Sequence, residues 1–175
     1  MTLVFDLETD GLLNDATKIH CIAIYDSETN QTTSYNDECP GKGMSEPVVR
    51  AVQYLEQADS IVGHNIIGFD IPVIRKLYPF FNYVGTAIDT LILSRLYRNR
   101  IIKEDMEKRE DMPGRLKGRH SLEAWGYRLG EYKGDFSKTT DWKEWSQEME
   151  DYCIQDVKVT AKLCDHFHPY LTGSR

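Results

Sequence analysis

Two acidic residues interrupt the short apolar segment that opens the chain. Residues 3–5 are apolar and favour β-structure, so the segment is interpreted as a buried strand that ends by the turn at Asp10. Side chains two residues apart on a strand point to the same face, about 7 Å apart, so Asp6 and Glu8 can contact the same ion or chemical group. Carboxylates on such a strand are unfavourable unless a cation or hydrogen-bond donors balance them. The pair therefore indicates either metal ligands or a strand end that runs into solvent.

Length and composition favour one globular domain. The chain has 175 residues, 41% of them hydrophobic, and we expect a single domain over residues 1–175. Its apolar runs are shorter than the roughly 20 residues that span a bilayer, and its N-terminus lacks the pattern of a secretory signal. We therefore expect a cytoplasmic protein, in the host cytoplasm if a phage encodes it, with no membrane partner.

Cysteine spacing and net charge exclude two classes of protein. The four cysteines lack the paired spacing of a zinc site and are expected to be reduced thiols. The formal net charge of −7 argues against a generally basic, DNA-coating protein. An enzyme that holds nucleic acid through metal ions and one local basic patch remains compatible with this charge.

Hydrophobic periodicity and turn residues predict strands followed by helices. The predicted elements after the first strand are strands over 19–25, 32–35 and 61–65, a brief strand or turn over 87–90, and helices over 46–57, 91–97, 122–129 and within 142–167. A further helix is predicted to open near Asp70, which is a plausible N-cap.

Two other segments are predicted to be loops. Residues 95–119 contain nine Lys and Arg against five Asp and Glu, with Pro113 and Gly114 inside, and are predicted to form a basic, mobile loop. This loop could hold phosphates or could be an ordinary solvated segment. Residues 133–141 are predicted to be a polar loop.

Two further groups of polar residues bear on the function. Tyr152 and Asp156 are four residues apart on the last predicted helix, so they lie on one face about 6 Å apart along its axis. This spacing suits a metal site, although an exposed Asp beside a half-buried Tyr would give the same pattern. His64 and Asn65 precede Asp70 after an apolar strand, and a simple helix N-cap is the competing interpretation.

Together these fragments resemble the three motifs of the DEDD exonucleases, specifically the Tyr-containing DEDDy branch of the DnaQ-like superfamily. Asp6-x-Glu8-Thr9 resembles the first motif, His64-Asn65-x-x-x-Phe69-Asp70 the second and Tyr152-x-x-x-Asp156 the third, in the same order. The likeness is greatest to the proofreading 3′→5′ exonuclease domains of family A DNA polymerases, above all those of T-seven-like phages. The other segments that carry this likeness are residues 88–91, 93–96 and 122–130.

The resemblance implies an α/β, RNase H-like mixed sheet flanked by helices, with four acids at one edge. It also implies two divalent cations, Mg²⁺ or Mn²⁺, because hard oxygen ligands suit these ions. Asp6 would bridge both ions, Glu8 and Asp156 would complete the first site, and Asp70 would support the second. Tyr152 would orient the attacking water together with Glu8.

The same resemblance implies residues that bind the substrate. Thr9 and Leu12 would contact the terminal nucleotide, with Leu12 wedged against the last bases, and Asn65 would hydrogen-bond near the strand end. A core leucine after a turn is the alternative for Leu12.

The implied activity is 3′→5′ hydrolysis of single-stranded or frayed DNA ends to nucleoside 5′-monophosphates, in proofreading or DNA processing. An RNA-trimming exonuclease and a catalytically silent domain that binds a polymerase or nucleic acid are the alternatives. The chain stops just past the third motif, so it is interpreted either as a free-standing exonuclease, with a separately encoded DNA polymerase as a possible partner, or as an excised domain.

Overall fold

A mixed five-stranded sheet with helices on both faces forms the fold. The computed structural model describes residues 1–38, 46–131 and 141–174. The strands are β1 (Thr2–Thr9), β2 (Ile19–Asp26), β3 (Gln31–Asn36), β4 (Ser60–Gly63) and β5 (Thr86–Asp89), in the order β3-β2-β1-β4-β5. The pairs β1–β2 and β2–β3 are antiparallel, whereas β1, β4 and β5 run parallel. The predicted α/β architecture, a mixed sheet flanked by helices, is confirmed.

The helices agree with the prediction except in one region. They are α1 (Val48–Glu56), α2 (Asp70–Leu77), α3 (Thr90–Tyr97), α4 (Ile101–Lys108), α5 (Leu122–Leu129) and α6 (Gln147–Leu171). In α5 the Ser121 hydroxyl accepts the Ala124 amide, and Gly130 ends the helix with φ at 71°. Of the polar loop predicted over 133–141, all but the last residue lies outside the described residues. No helix within the described ranges is both long and apolar enough to cross a membrane.

Alternating side chains on β1 face two separate apolar clusters. Leu3, Phe5 and Leu7 are buried in a large cluster with residues of α1 and α2. Val4 lies on the opposite face, in a smaller cluster with Cys153 and Val157 of α6. Because side chains alternate along a strand, the even-numbered acids of β1 lie on the face that α6 covers.

The long helix α6 connects the sheet with the α3–α5 region. Its first half packs on β1 and β2, and its second half carries Val159, Leu163 and Phe167 into a cluster with Leu122 and Trp125 of α5. One continuous helix therefore fixes the α5 region relative to the strand that carries the acids.

The segment predicted as a basic mobile loop is largely helical, so that prediction is wrong. Residues 95–119 include the end of α3, all of α4 and a 3-10 turn at Gly114–Leu116. Ile101 of α4 is buried, whereas Ile102 and Met106 are exposed, so the helix lacks the apolar stripe by which a packed helix is recognised.

A buried ion pair attaches α4 to α5 instead. The Arg128 guanidinium donates from Nε and Nη2 to the Asp105 carboxylate, at 3.0 Å and 2.7 Å, and the Gly118 amide donates to the same carboxylate at 2.9 Å. The two side chains of the pair are only 6% and 2% exposed. Burial acts to raise the pKa of Asp105, but the hydrogen bonds from Arg128 and Gly118 and the charge of Arg128 hold it below its usual value.

Replacing Asp105 by Asn is expected to lower the free energy of unfolding by about 3 kcal/mol, because it leaves the buried Arg128 charge uncompensated. Chemical denaturation at neutral pH measures the change. Glu123→Gln is the matched control, since its ion pair with Arg115 is largely exposed and should contribute less than about 1 kcal/mol. Equal losses in the two variants would contradict a special role for the buried pair.

Candidate active site

The two acids of β1 lie under α6, beside small residues of the neighbouring strand. Asp6 pairs with Ala23 of β2, and Glu8 pairs with Cys21. Ala23 and Cys21 are fully buried and leave room for α6 to approach the sheet. Asp6 and Glu8 themselves are half-buried, so their carboxylates lie between the sheet and the helix and are still reachable from outside.

Asp6, Glu8 and Cys153 of α6 form a cluster of possible metal ligands. Their ligand atoms all lie within 4.8 Å of one another. The Cys153 thiol donates to the Asp6 carbonyl oxygen at 3.3 Å. Burial, the neighbouring Cys21 and the two carboxylates raise the pKa of Cys153 well above its usual value, so it remains a neutral thiol. The ligands available here are therefore carboxylate oxygens, which suit hard divalent cations.

Asp70 lies beside Asp6 and is 3% exposed. Burial raises its pKa well above the usual value, and the charges of Asp6 and Asp89 act in the same direction, against hydrogen bonds from its own backbone and that of Leu7. The predicted N-cap role of Asp70 is wrong, because the cap position is Phe69 and Asp70 is the first residue of α2. Its side chain is instead directed into the acidic cluster.

Tyr152 and Asp156 are both on α6, as predicted. Asp156 is buried and lies one turn after Cys153, so it shares the face of α6 that meets Asp6 and Glu8. Tyr152 is half-buried, and its ring meets that of Trp142 edge-to-face at 6.5 Å between centroids. The structure thus places Asp70 beside Asp6, and it places Tyr152 and Asp156 on the helix that covers β1.

The four acids fit a divalent metal centre. Burial and the negative charge of Asp6 both raise the pKa of Asp70, so a second ionised carboxylate beside Asp6 is unfavourable. A cation of charge +2 would reverse that repulsion, because carboxylate oxygens are strong ligands for Mg²⁺ and Mn²⁺. Asp6, Glu8, Asp70 and Asp156 are the residues that could hold such ions.

The three residues predicted to bind substrate differ in their hydrogen bonds, exposure and backbone conformation. The Thr9 hydroxyl donates to the Gly11 carbonyl oxygen at 2.7 Å, and this hydrogen bond stabilises the turn after β1. Leu12 is 75% exposed at that turn, so the alternative of a core leucine is wrong. Asn65 is exposed with φ at 71°, a left-handed conformation that Asn tolerates better than most residues.

Asp89, at the end of β5, organises the loop between β4 and α2. One carboxylate oxygen accepts the Asn65, Leu91 and Ile92 amides at 2.9 Å, 2.9 Å and 3.4 Å, and the other accepts the Ile67 amide at 3.1 Å. Asp89 therefore caps α3 and also fixes the loop that leads to Asp70. Sequence analysis did not single it out, although an acid between a short apolar segment and a helix is an N-cap signal.

Gly63 permits the tight turn that begins this loop. A Cβ at this position would lie 2.0 Å from Ile66 Cγ2 and 3.0 Å from the Phe5 carbonyl oxygen. Next to it, the Thr90 hydroxyl donates to the Gly63 carbonyl at 3.1 Å and lies 2.9 Å from His64 Nδ1. His64 is therefore held by α3.

A groove of about 470 Å³ adjoins Asn65. Its other walls include Leu91, Arg95 and Arg119. His120 also lines it, and burial and the charges of Arg128 and Arg95 lower the pKa of this histidine. The groove therefore has cationic arginines among its walls.

In the absence of divalent ions, Asp70→Asn is expected to stabilise the protein above about pH 4, where an unfolded aspartate ionises. The folded pKa of Asp70 is raised, so the native state holds a proton that the unfolded state releases, and wild-type stability falls as pH rises toward that folded pKa. Urea unfolding in EDTA between pH 4 and 8 measures the effect. The free energy of unfolding of the variant should not show this decrease. Identical pH profiles for the variant and the wild type would contradict a raised pKa of Asp70 in the folded protein.

Comparison with known proteins identifies the family of the chain. The RNase_H_2 family model, described as RNase_H superfamily, matches residues 3–168. The chain is 34% identical to a DNA-directed DNA polymerase of Escherichia phage T7, over 93% of this chain and 26% of that protein. It thus spans about a quarter of the length of this relative.

Two solved structures share the fold. Brucella melitensis NrnC with bound Mg²⁺ superposes with a TM-score of 0.64 at 18% identity, covering 99% of this chain and 74% of that one. The zinc-bound E. coli ExoI–ssDNA complex superposes with a TM-score of 0.60 at 17% identity, covering 97% of this chain and 41% of that one. The chain therefore belongs to the RNase H superfamily, and its predicted likeness to an RNase H-like exonuclease domain is confirmed.

Proposed function

We propose that this chain is a two-metal-ion 3′→5′ exonuclease that hydrolyses single-stranded or frayed DNA ends to nucleoside 5′-monophosphates. The observation that carries the proposal is the cluster of Asp6 and Glu8, with ligand atoms within 4.8 Å of one another, next to the buried Asp70 and under the face of α6 that holds Asp156. The direction of cleavage and the preference for DNA follow from the resemblance to polymerase exonuclease domains.

Bound divalent ions would activate a water molecule and relieve negative charge on the leaving oxygen. Asp6, which lies on β1 beside Asp70, would contribute a carboxylate to both ion sites. Glu8 and Asp156 would complete the first site, and Asp70 would support the second. Mg²⁺ and Mn²⁺ are the candidates, and the NrnC structure named with bound Mg²⁺ supports a metal of this class.

Tyr152 would orient the attacking water together with Glu8. Its ring is fixed against Trp142, whose carbonyl oxygen lies 3.0 Å from His20 Nε2 on β2. The hydroxyl is therefore carried on a ring with restricted motion, which is what positioning of a water molecule needs. Tyr152 would thus position the water molecule, whereas the carboxylates would supply the negative charge that holds the metal ions.

The substrate strand would enter along the groove beside Asn65. Arg95 and Arg119 would contact the phosphates upstream of the scissile bond, whereas the acids would repel those phosphates. Leu12, exposed at the turn after β1, would wedge between the last bases, and Thr9 and Asn65 would contact the terminal nucleotide. The complex of E. coli ExoI with ssDNA, which shares the fold, supports a single-stranded substrate. A DNA polymerase is the proposed partner, which the 34% identity to the phage T7 DNA-directed DNA polymerase supports.

Asp6→Asn and Asp156→Asn are each expected to abolish cleavage, because each removes a metal-ligand charge while the fold is retained. The measurement is digestion of 3′-end-labelled DNA and RNA of one sequence with Mg²⁺, Mn²⁺ or EDTA. Asp165→Asn is the matched control, since Asp165 is an exposed acid on the same helix as Asp156, and it should keep wild-type activity.

The outcomes of this assay separate the candidate functions. Metal-dependent loss of label from DNA alone supports the proposal, whereas faster digestion of RNA supports an RNA-trimming enzyme. Absence of cleavage with every ion would indicate a catalytically silent domain. Full activity of Asp6→Asn would overturn the site assignment.

Leu12→Ala is expected to slow cleavage of paired 3′ ends more than cleavage of single strands. Unpairing the last bases costs a few kcal/mol per step, and an exposed wedge assists only where bases are still stacked. Rates on single-stranded, mismatched and matched ends measure the effect, and mismatched ends should be degraded faster than matched ones. Leu171→Ala, at the far end of α6 and 43% exposed, should change none of these rates, and an equal loss on all three substrates in Leu12→Ala would refute the wedge.

A further inference from the structure

A second cavity lies between α4, α5 and the end of α6, away from the acids. It has a volume of about 360 Å³, and it is lined by one face of the end of α4, by residues of α5 and by His166 of α6. His166 follows Asp156 by ten residues on the same helix, which places it about 15 Å farther along the axis. We call this space the α4–α5 cavity, and it is separate from both the acidic cluster and the groove beside Asn65.

Basic side chains outnumber acidic ones around the cavity. The charged residues that line it are Arg98, Glu104, Asp105, Lys108, Arg109 and Arg128. Arg98 is paired with Glu104, and Arg128 with Asp105. Lys108 and Arg109 make no ion pair among the described residues, although the Arg109 guanidinium donates to the Arg128 carbonyl oxygen at 2.7 Å. The cavity therefore has four basic residues against two acidic ones in a chain of net charge −7.

Three buried nitrogens of the lining residues have no hydrogen-bond partner in the described part of the chain. They are Arg98 Nε, Arg128 Nη1 and His166 Nε2. The Arg128 side chain is only 6% exposed, and buried donors without an acceptor are unfavourable. Burial and the charge of Arg98 lower the pKa of His166, so it is neutral and able to donate from Nε2.

The cavity offers donors and positive charge, and its tryptophan has no open face. The Arg128 guanidinium lies over the Trp125 ring, 4.9 Å from its centroid, and Trp125 itself is almost fully buried. A nucleobase therefore cannot stack on the tryptophan of this cavity. The group that matches the walls is a compact anion with several acceptor oxygens, and arginine guanidinium groups recognise phosphate in this way.

We propose that the α4–α5 cavity binds a phosphate group, held by Lys108 and Arg109 at its rim and by Arg98, Arg128 and His166 at its base. The phosphate belongs either to a free ion or nucleotide or to the backbone of a nucleic-acid strand. Both sources present the same oxygens to the same donors, and the length dependence of binding separates them.

The test is calorimetric titration of the wild-type protein, in EDTA and at constant ionic strength set with NaCl, with three probes. They are inorganic phosphate, thymidine 5′-monophosphate and a single-stranded oligothymidylate of eight nucleotides. Saturable binding of one phosphate per chain is expected. Lys108→Glu should weaken it about ten-fold, the order expected for the loss of one charge-assisted hydrogen bond.

Lys103→Glu is the matched control, because Lys103 is an exposed residue of the same helix, paired with Glu107 and outside the cavity lining. It should change the affinity less than two-fold. Lys108→Gln provides a second variant that removes the charge without reversing it, and circular dichroism checks that each variant is folded.

The pattern across probes decides the source of the phosphate. An oligonucleotide that binds at least ten-fold more tightly than the monophosphate, and that Lys108→Glu weakens, supports a strand-backbone site. Equal affinity for the three probes supports a site for free phosphate or nucleotide. Equal affinities of Lys108→Glu and Lys103→Glu for every probe, or no saturable binding by the wild type, would overturn the proposal. No hydrolysis is measured, so this result is independent of the proposed nuclease activity.

Discussion

The close packing of α6 against β1 and β2 is the contact on which the candidate site depends. Asp6 and Glu8 are on the strand, whereas Tyr152 and Asp156 are on the helix, and only this packing brings the two pairs together. Fully buried small residues, Cys21 and Ala23, line the interface, and larger side chains there would move the helix away. The same contact therefore stabilises the fold and sets the distances within the acidic cluster.

The packing also explains how a repulsive group of carboxylates is retained. Val4, Cys153 and Val157 form an apolar cluster directly beside the acids, and burial of apolar surface offsets the electrostatic cost. Asp89 provides a second constraint, because its carboxylate accepts two amides of the loop that leads to Asp70 and two amides at the start of α3. The acids are thus held by elements whose stability does not depend on the acids themselves, which is what a preorganised metal site needs.

The charge of the chain is separated in space. Its net charge is −7, but the acids of the candidate site lie on β1, α2 and α6, and basic residues line two cavities beside α3, α4 and α5. One cavity lies beside Asn65, and the other lies at His166, about 15 Å along α6 from Asp156. Under the proposed function, a polyanion would be attracted to these cavities and would meet the acids only where bound divalent cations neutralise them.

Local patterns in the sequence determined most elements and the identity of the acids. Apolar, β-favouring runs predicted β1 and β2, turn residues predicted their ends, and Ser121 with Gly130 predicted the limits of α5, because each depends on neighbours in the chain. The three acidic motifs were recognisable because their spacing on a strand or helix is itself local. Tertiary structure alone decided the rest. Helix α4 is anchored by an ion pair between Asp105 and Arg128, 23 residues apart, and Asp70 faces a buried cluster instead of capping its helix. Such contacts join distant parts of the chain, and the local sequence around one partner does not indicate which residue it contacts.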